Sequence, residues 1–290
     1  MSTTTYAAID RRRLDRLIEE ERTEFVKAHP RSAAAFENAR ATLLGGVPMN
    51  WMDRWVGGFP IMLDHAEGAR VTDIDGHSYI DFCLGDTGAM AGHAAEPTAR
   101  AIEQRIRRGI TAMLPSEDAT WVGGELSRRF GLPKWQFTLS ATDANRFAIR
   151  LARHLTGRAK VLVFNYCYHG TVDETFAVLE GGRVRARPHN IGPPVDLSAT
   201  TRVVEWNDIV ALEAELGQGD VACVLAEPAL TNIGIVLPDR GYHDALRDLT
   251  RRAGTLLVID ETHTMSTAPG GYTAAYGLHP DLITVGKALA

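Results

Sequence analysis

Five short groups of polar residues have the types and positions that a binding or catalytic site needs. Each group follows a short apolar run, directly or, for Tyr168, after three residues, and the groups are Ser140-Ala141-Thr142, Tyr168-His169-Gly170, Glu227-Pro228, Asp260-Glu261 and Gly286-Lys287. Small residues at a helix N-terminus can bind phosphate, a buried carboxylate can hold a cation, and a lysine amine can act as a nucleophile or base. Chance could place one or two such groups after apolar runs, but five indicate a site.

The segment from Ser140 to Asp143 opens a predicted helix over residues 143–155. Small residues at this position expose backbone N–H groups and the positive end of the helix dipole, which suits a phosphate group. The alternative is an ordinary helix N-cap formed by Ser140 or Thr142, with Asp143 in the first turn.

Asp260 and Lys287 both follow runs that we expect to be buried. A carboxylate in a buried position is costly unless it is paired, so Asp260 either holds a cation or serves as a helix cap or structural ion pair. Taken alone, Lys287 could be a surface lysine, Tyr168 could lie in a loop turn, and Glu227 could simply end a strand. The inference of a site depends on their order and shared location.

The apolar runs that precede these groups are short, continuous and separated by helices. We predict strands at residues 135–139, 161–164, 202–205, 221–226, 255–259 and 282–285, with helices at 143–155, 207–216 and 240–252. This pattern predicts an α/β fold with a mostly parallel sheet that helices cover on both faces. Ligands of such sheets bind beyond the carboxyl ends of the strands, where the five polar groups fall.

The first 95 residues follow a different pattern. We predict helices at residues 11–27 and 32–44, the second capped by Ser32, and helices at 97–108 and 117–130 after them. Between them lie an irregular aromatic segment at 51–60, strands at 61–63, 69–72 and 79–82 with a turn at Asp75-Gly76, and a glycine-rich loop at 86–93. We therefore predict N-terminal helices with part of a small domain over residues 1–95 and a large α/β domain over 96–290.

Composition restricts the class of protein. The 290 residues carry a formal net charge of -5 with acids and bases interspersed, which argues against a nucleic-acid or membrane-surface partner. No apolar run approaches the ~20 residues of a membrane span, and no signal peptide is evident. The three cysteines form no CxxC pair, which argues against disulfides and a zinc site, so we expect a cytoplasmic protein without a metal.

The order of the five groups resembles the class III aminotransferases that depend on pyridoxal 5′-phosphate (PLP). The resemblance is carried by the segment from Ser140 to Ala144, by Tyr168-His169-Gly170, by Glu227-Pro228 with Asn232 and Gly234, and by Asp260-Glu261 followed by Lys287. It is strongest to the branch of glutamate-1-semialdehyde aminomutase and the β-amino-acid transaminases. It implies a fold-type I transferase, a homodimer, and a chain that continues beyond the lysine into a C-terminal small domain. We therefore expect the 290 residues to be part of a longer enzyme.

The resemblance also implies a role for each position. Lys287 would hold PLP covalently and Asp260 would pair with its pyridine nitrogen, which makes these two the expected catalytic residues. The expected cofactor-binding residues are Ser140, Ala141, Thr142, Tyr168, His169, Glu227, Asp260, Thr262 and Lys287. In the branch, an arginine of the segment 46–60 binds the substrate carboxylate, so Arg54 and the adjacent Trp51 are the expected substrate-binding residues. The alternative for Arg54 is a surface ion pair with Asp53 or Asp64.

Three positions depart from the family pattern. Ala141 stands where glycine is usual, and Thr262 stands where the family has Val or Ile against the cofactor ring, so the Thr262 hydroxyl needs a partner. The arginine often found shortly afterwards is replaced by the segment His263-Thr264-Met265-Ser266. The expected activity is transfer of an amino group between an amine or amino acid and a keto acid or aldehyde. An intramolecular aminomutase, a PLP-dependent lyase and a non-catalytic binding protein are the alternatives.

Overall fold

Two helices at the start of the chain share one junction residue. The structure, a computed structural model, describes residues 9–192 and 195–289. Helix α1 (Arg11–Ala28) begins after Asp10, whose carboxylate accepts a hydrogen bond from the Arg13 amide. Helix α2 (Pro30–Ala39) follows, and His29 is both the C-cap of α1 and the N-cap of α2. The predicted helix at 11–27 is therefore confirmed.

The prediction that Ser32 caps the second helix is wrong. Ser32 is buried inside α2, and its hydroxyl donates to the Asp75 carboxylate at 2.6 Å. Asp75 also accepts from the backbone amides of Arg31 and Ser32. A carboxylate from a distant turn thus satisfies the free N–H groups at the start of the helix, which is the work that a local cap would do.

A three-stranded antiparallel sheet and a helix complete this region. Strands β1 (Leu63–Glu67), β2 (Arg70–Asp73) and β3 (Ser78–Ile80) pair in the order β1-β2-β3, and helix α3 (Glu96–Ile106) follows. The predicted turn at Asp75-Gly76 joins β2 to β3 and is confirmed. The first strand lies at Leu63–Glu67 and not at 61–63, because it pairs along its length with β2.

The second region alternates strands and helices. Its elements are α4 (Glu117–Phe130), α5 (Ala141–Thr156), β4 (Lys160–Phe164), β5 (Ala177–Glu180), β6 (Arg183–Ala186), β7 (Thr201–Val204), α6 (Ile209–Leu216), β8 (Val221–Ala226), α7 (Tyr242–Ala253), β9 (Leu256–Asp260), α8 (Gly271–Tyr276) and β10 (Leu282–Thr284). By their contacts the residues fall into two compact units. One comprises the chain up to Leu84 together with Ala91–Ile110, and the other comprises Gly85–Met90 and the chain from Thr111 onwards.

A five-stranded parallel sheet forms the core of the second unit. Its strand order is β10-β9-β8-β4-β7, and all six residues of the central strand β8 are buried. Helix α5 packs against β8, β9 and β10, whereas α6 and α7 pack against each other and against β7 and β9. The predicted fold class, a parallel sheet with helices on both faces, is confirmed. The carboxyl ends of β9 and β10 therefore lie side by side.

One predicted strand is absent and one hairpin was missed. Residues 135–139 pair with no strand within the described residues, and Phe137 and Leu139 are 52% and 101% exposed. Their apolar character alone therefore does not produce a strand, since a strand needs a hydrogen-bonding neighbour. The antiparallel pair β5 and β6 turns at Gly181-Gly182, a two-residue turn signal that was present in the sequence.

The structure also bears on membrane insertion. Within the described part of the chain, no helix is long and apolar enough to cross a bilayer.

Candidate functional site

Asp260 is the charged group at the centre of the candidate site. It ends strand β9, is 3% exposed, and accepts hydrogen bonds from three groups. Oδ2 accepts from Asn145 Nδ2 at 2.8 Å and lies 2.8 Å from His169 Nδ1, while Oδ1 accepts from the Thr262 amide at 3.0 Å. Burial raises the pKa of Asp260, but the hydrogen bond and charge of His169 and the bond from the Thr262 amide outweigh it and hold the pKa below its usual value. The carboxylate is therefore ionised.

Asn145 joins this carboxylate to the neighbouring strand. Its side chain is fully buried in α5, and Nδ2 also donates to the His169 carbonyl at 3.2 Å. Its Oδ1 accepts from the Thr284 hydroxyl at 2.7 Å, and Thr284 is the register partner of Asp260 across β9 and β10. Sequence reasoning did not single out Asn145. It lies at helical spacing with the buried residues Ala148, Ile149 and Ala152, which was the signal available.

His169 is fully enclosed behind Asp260. Because a carboxylate only accepts, Nδ1 donates to it, and Nε2 has no hydrogen-bond partner among the residues that the structure describes. Burial alone lowers the pKa of His169, but the neighbouring Cys167 and the Asp260 carboxylate raise it well above 6.5. His169 and Asp260 therefore form a buried histidine–carboxylate pair, in which the imidazole donates to Oδ2.

Glu227 organises the loop that carries Tyr168. Its Oε1 accepts from the Tyr168 amide at 3.1 Å, and its Oε2 accepts from the Thr231 hydroxyl at 2.7 Å. Burial raises the pKa of Glu227, but the hydrogen bond from His263 and the charge of His169 bring it below the usual value. The rings of His263 and Tyr168 stack with centroids 6.1 Å apart and planes at 15°. The sequence had singled out His263 only as the occupant of a missing arginine's place.

The start of α5 faces this loop. Ser140 is the N-cap and its hydroxyl accepts from the Asp143 amide at 3.1 Å, so the cap interpretation is correct for that donor. No acceptor is found among the described residues for the amides of Ala141 and Thr142. Thr142 Oγ1 accepts from the Thr171 amide at 3.1 Å, and a Cβ at Gly170, where φ is 75°, would lie 2.1 Å from that oxygen. Glycine is required there for the close approach.

Lys287 follows strand β10 and lies at the same edge of the sheet. A Cβ at the preceding Gly286 would lie 2.8 Å from the Ala141 side chain and 3.5 Å from that of Thr262, so the lysine turn packs directly on the start of α5. The Lys287 ammonium forms an ion pair with the carboxylate of Asp86. Asp86, in the glycine-rich loop, was not among the predicted site residues.

Glu261, next to Asp260, accepts hydrogen bonds from backbone amides of a neighbouring helix. It is fully buried, and its carboxylate accepts from the Tyr272 amide at 3.1 Å and the Thr273 amide at 2.5 Å, where α8 begins. Glu261 therefore caps a helix. The hydroxyl of Thr262 is buried, and the partner that the departure from Val or Ile called for is not found within the described residues.

The two predicted substrate-binding residues belong to the first compact unit. Trp51 lies on a 3-10 turn (Asn50–Asp53) and is 61% exposed, and Arg54 directly follows that turn and is also exposed. No ion pair of Arg54 with Asp53 or Asp64 occurs among the residues that the structure describes. Their relation to the residues around Asp260 stays a prediction.

The sequence of the chain from residue 51 onwards matches one family. A sequence model of the family described as Aminotransferase class-III covers residues 51–290. The chain belongs to the class-III aminotransferase family. The resemblance stated from the sequence is thereby confirmed.

Relatives within and near this family carry two kinds of name. The chain is 36% identical over 261 residues to a glutamate-1-semialdehyde 2,1-aminomutase of Methanosphaera stadtmanae, covering 89% of this chain and 61% of that protein. It superposes on a glutamate-1-semialdehyde-aminomutase from Pseudomonas aeruginosa PAO1 with a TM-score of 0.95 and 52% identity, covering 98% of this chain and 63% of that one. An omega-transaminase from Sphaerobacter thermophilus gives a TM-score of 0.83 and 30% identity, with coverages of 88% and 60%.

The chain spans about three fifths of the length of these relatives. Class-III aminotransferases depend on PLP. The structure of a Lys-to-Ala variant of the P. aeruginosa aminomutase has been solved in complex with pyridoxamine 5′-phosphate (PMP). The residues of this chain fit such a cofactor. The ionised Asp260 suits a protonated pyridine nitrogen, and the amides that begin α5, for which the described residues offer no acceptor, suit a phosphate.

Proposed function

We propose that this chain is the cofactor-binding part of a PLP-dependent aminotransferase, which moves an amino group between an amino acid or amine and a keto acid or aldehyde. The single observation that supports it best is that Asn145 is hydrogen-bonded to both Asp260 and Thr284 at the carboxyl ends of β9 and β10, three positions before Lys287. Among the described residues, this ionised carboxylate, held by three donors, has no ion-pair partner except His169, so it can hold a second positive charge.

When bound, PLP acts as an electron sink for the bond broken at the amine-bearing carbon. Asp260 Oδ1, which within the described part of the chain accepts only from the Thr262 amide, is the oxygen that we assign to the protonated pyridine nitrogen. His169 and Asn145 keep Oδ2 occupied, so the carboxylate cannot rotate away. The amides of Ala141 and Thr142 bind the phosphate at the start of α5, with Ser140 as its cap.

Tyr168, Thr262 and Lys287 complete the proposed site. Tyr168, which Glu227 holds through its amide and which stacks on His263, would face the cofactor ring, and Thr262 would contact the ring from the opposite side. Lys287 Nζ would hold the cofactor covalently and, once substrate displaces it, would carry the proton from the amine-bearing carbon to the cofactor. Asp86 pairs with this ammonium and would have to release it before the lysine could hold the cofactor.

The test is reductive trapping with borohydride. The purified protein should be yellow, and reduction should fix PLP to the peptide that contains Lys287. The Lys287→Ala variant should bind PLP only noncovalently and lose transamination, because the phosphate and ring contacts do not need the lysine. Lys134→Ala, a change at an exposed lysine, is the control and should behave like the wild type. Turnover near the wild-type rate in Lys287→Ala would contradict the proposal.

The names of several relatives favour a second candidate, an aminomutase of the glutamate-1-semialdehyde type. A mutase uses the same residues but retains its amino group within the active site, so it consumes no external keto acid. Incubating the holoenzyme with an amino donor and a keto acid, and measuring loss of the keto acid, separates the two. Loss of keto acid in proportion to donor supports the aminotransferase, and conversion of glutamate 1-semialdehyde alone supports the mutase.

We also propose a homodimer in the cytoplasm. The exposed aromatic and apolar groups of the first unit, which include Trp51, Trp55 and Val56, support a protein partner surface. All three cysteines are free thiols, which supports a reducing compartment. Sedimentation that shows only monomer in a fully active sample would contradict the dimer. The division into domains at 1–95 and 96–290 is likewise a proposal for the whole protein.

A further inference from the structure

The first compact unit contains a second cluster of potential ligands, separate from the residues discussed above. His29, Asp73 and His77 direct His29 Nε2, Asp73 Oδ2 and His77 Nδ1 towards one another, and these three atoms all lie within 4.8 Å. His29 and Asp73 are buried, while the His77 side chain is 42% exposed. The cluster contains no cysteine, so the argument from cysteine spacing does not bear on it.

The orientation of His29 is fixed by its other ring nitrogen. Nδ1 lies 2.7 Å from the Phe25 carbonyl, which can only accept, so Nδ1 carries the proton and donates it. In the neutral ring this leaves the Nε2 lone pair directed into the cluster. Metal-binding histidines commonly donate their second nitrogen to a backbone carbonyl in this way, because the bond fixes the tautomer and the ring orientation.

The spacings from Asp73 to the two histidines match those of ligands around a small divalent ion. His77 Nδ1 lies 3.2 Å from Asp73 Oδ2, and His29 Nε2 lies 3.5 Å from the same oxygen. Tetrahedral zinc binds nitrogen and oxygen at about 2.0–2.2 Å, which places neighbouring ligand atoms roughly 3.3–3.6 Å apart. An ion bound to Asp73 and either imidazole therefore fits the distances that the structure has.

A hydroxyl oxygen lies beside the cluster. Tyr79 Oη lies 2.8 Å from His29 Nε2 and donates to Asp73 Oδ2 at 2.8 Å. A further oxygen that could face a bound ion thus lies within hydrogen-bond distance of two of the three ligand atoms.

We propose that His29, Asp73 and His77 form a binding site for one divalent transition-metal ion of the zinc type, with the fourth position open to water or to the Tyr79 oxygen. Two imidazoles and one carboxylate form a ligand set that suits zinc. His29 joins α1 to α2, Asp73 ends β2, and His77 precedes β3, so a bound ion would fasten the helix junction to the hairpin. The site is structural and makes no claim on the amino-transfer chemistry.

The experiment measures Zn²⁺ binding to the purified holoenzyme without an affinity tag. Calorimetric titration gives the stoichiometry and affinity, and Co²⁺ substitution reports tetrahedral geometry from its visible spectrum. The test variant is His77→Gln, since His77 is partly exposed and its replacement leaves the buried groups in place. The matched control is His65→Gln, because His65 forms a surface pair with Asp64 at 2.8 Å in the same sheet but has no third ligand.

We expect one Zn²⁺ per chain in the wild type and in His65→Gln, and binding weaker by ~10-fold or more in His77→Gln. Zn²⁺ should raise the Tm of the wild type and not that of His77→Gln, because only an ion bound to the folded state stabilises it. Circular dichroism verifies that His77→Gln folds. Absence of saturable binding by the wild type, or equal binding by the wild type and His77→Gln, would overturn the site.

Discussion

The amide of Asn145 donates to the carboxylate of Asp260 at 2.8 Å, across 115 positions of sequence. Both side chains are buried, and the same amide group accepts from Thr284 on the next strand. One side chain of helix α5 thereby fixes the end of β9 relative to the end of β10. The residue that precedes the lysine turn and the residue assigned to the cofactor ring are held by a single hydrogen-bonded link.

Replacing Asn145 with leucine should damage both stability and cofactor binding. The change leaves the Thr284 hydroxyl unpaired and removes one donor from Asp260, and a buried polar group left unpaired costs about 1–3 kcal/mol. We expect a lower free energy of unfolding by urea titration and weaker PLP binding by absorbance. The control is Asn190→Leu, an exposed position of the same unit. Unchanged PLP affinity in a destabilised Asn145→Leu would assign Asn145 to the fold alone.

Replacing Asp260 with asparagine tests its charge at nearly constant shape. The amide cannot supply the negative charge that favours a protonated pyridine nitrogen, so we expect kcat to fall on the order of 10²-fold or more. The measurement is single-turnover kinetics on protein saturated with PLP. A change of less than about threefold would mean that Asp260 serves as a structural group.

The pair of His169 and Asp260 should give the fold a characteristic pH dependence. The pKa of His169 in the folded state is raised. Its contribution to the free energy of unfolding is therefore complete below pH 6.5 and is lost as the pH rises through that folded-state pKa. The folded pKa of Asp260 is lowered, so its contribution is present above pH 3.8 and is lost as the pH falls through the folded value. The pair therefore contributes most to the free energy of unfolding between pH 3.8 and pH 6.5.

The corresponding experiment uses urea unfolding without added cofactor. The difference in unfolding free energy between the wild type and His169→Asn should narrow as the pH rises from about 6 to about 9. His189→Asn, at an exposed histidine of the same unit, should follow the wild type throughout. A constant difference for His169→Asn across this range would show that packing, and not charge, accounts for its effect.

Arg54 is the test of substrate recognition. A guanidinium binds a carboxylate through two parallel hydrogen bonds, so Arg54→Met should lower kcat/KM for amino-acid donors by about 10- to 100-fold and leave simple amines nearly unchanged. Equal losses for both donor types would assign Arg54 to the fold. If kcat/KM were unchanged for both donor types, carboxylate recognition would belong to other residues.

The sequence predicted the sheet better than it predicted the site. Five of six apolar runs form strands because both faces of each run are covered, whereas residues 135–139 lack a neighbouring strand among the described residues. The ends of β9 and β10 were predicted because strand ends meet at one edge. Asn145 and Asp86 were missed because a polar residue in a helix or a glycine-rich loop looks solvent-exposed until tertiary contacts are known.

The hydrogen bond from Thr284 to Asn145 also sets an order of events during synthesis. The two residues are 139 positions apart, and ribosomes add about 5–20 residues per second, so helix α5 leaves the ribosome on the order of ten seconds before β10. Throughout that interval the Asn145 carbonyl has no strand to accept from. The link between the Asp260 carboxylate and the turn that carries Lys287 therefore cannot form until β10 has been synthesised and has paired with β9.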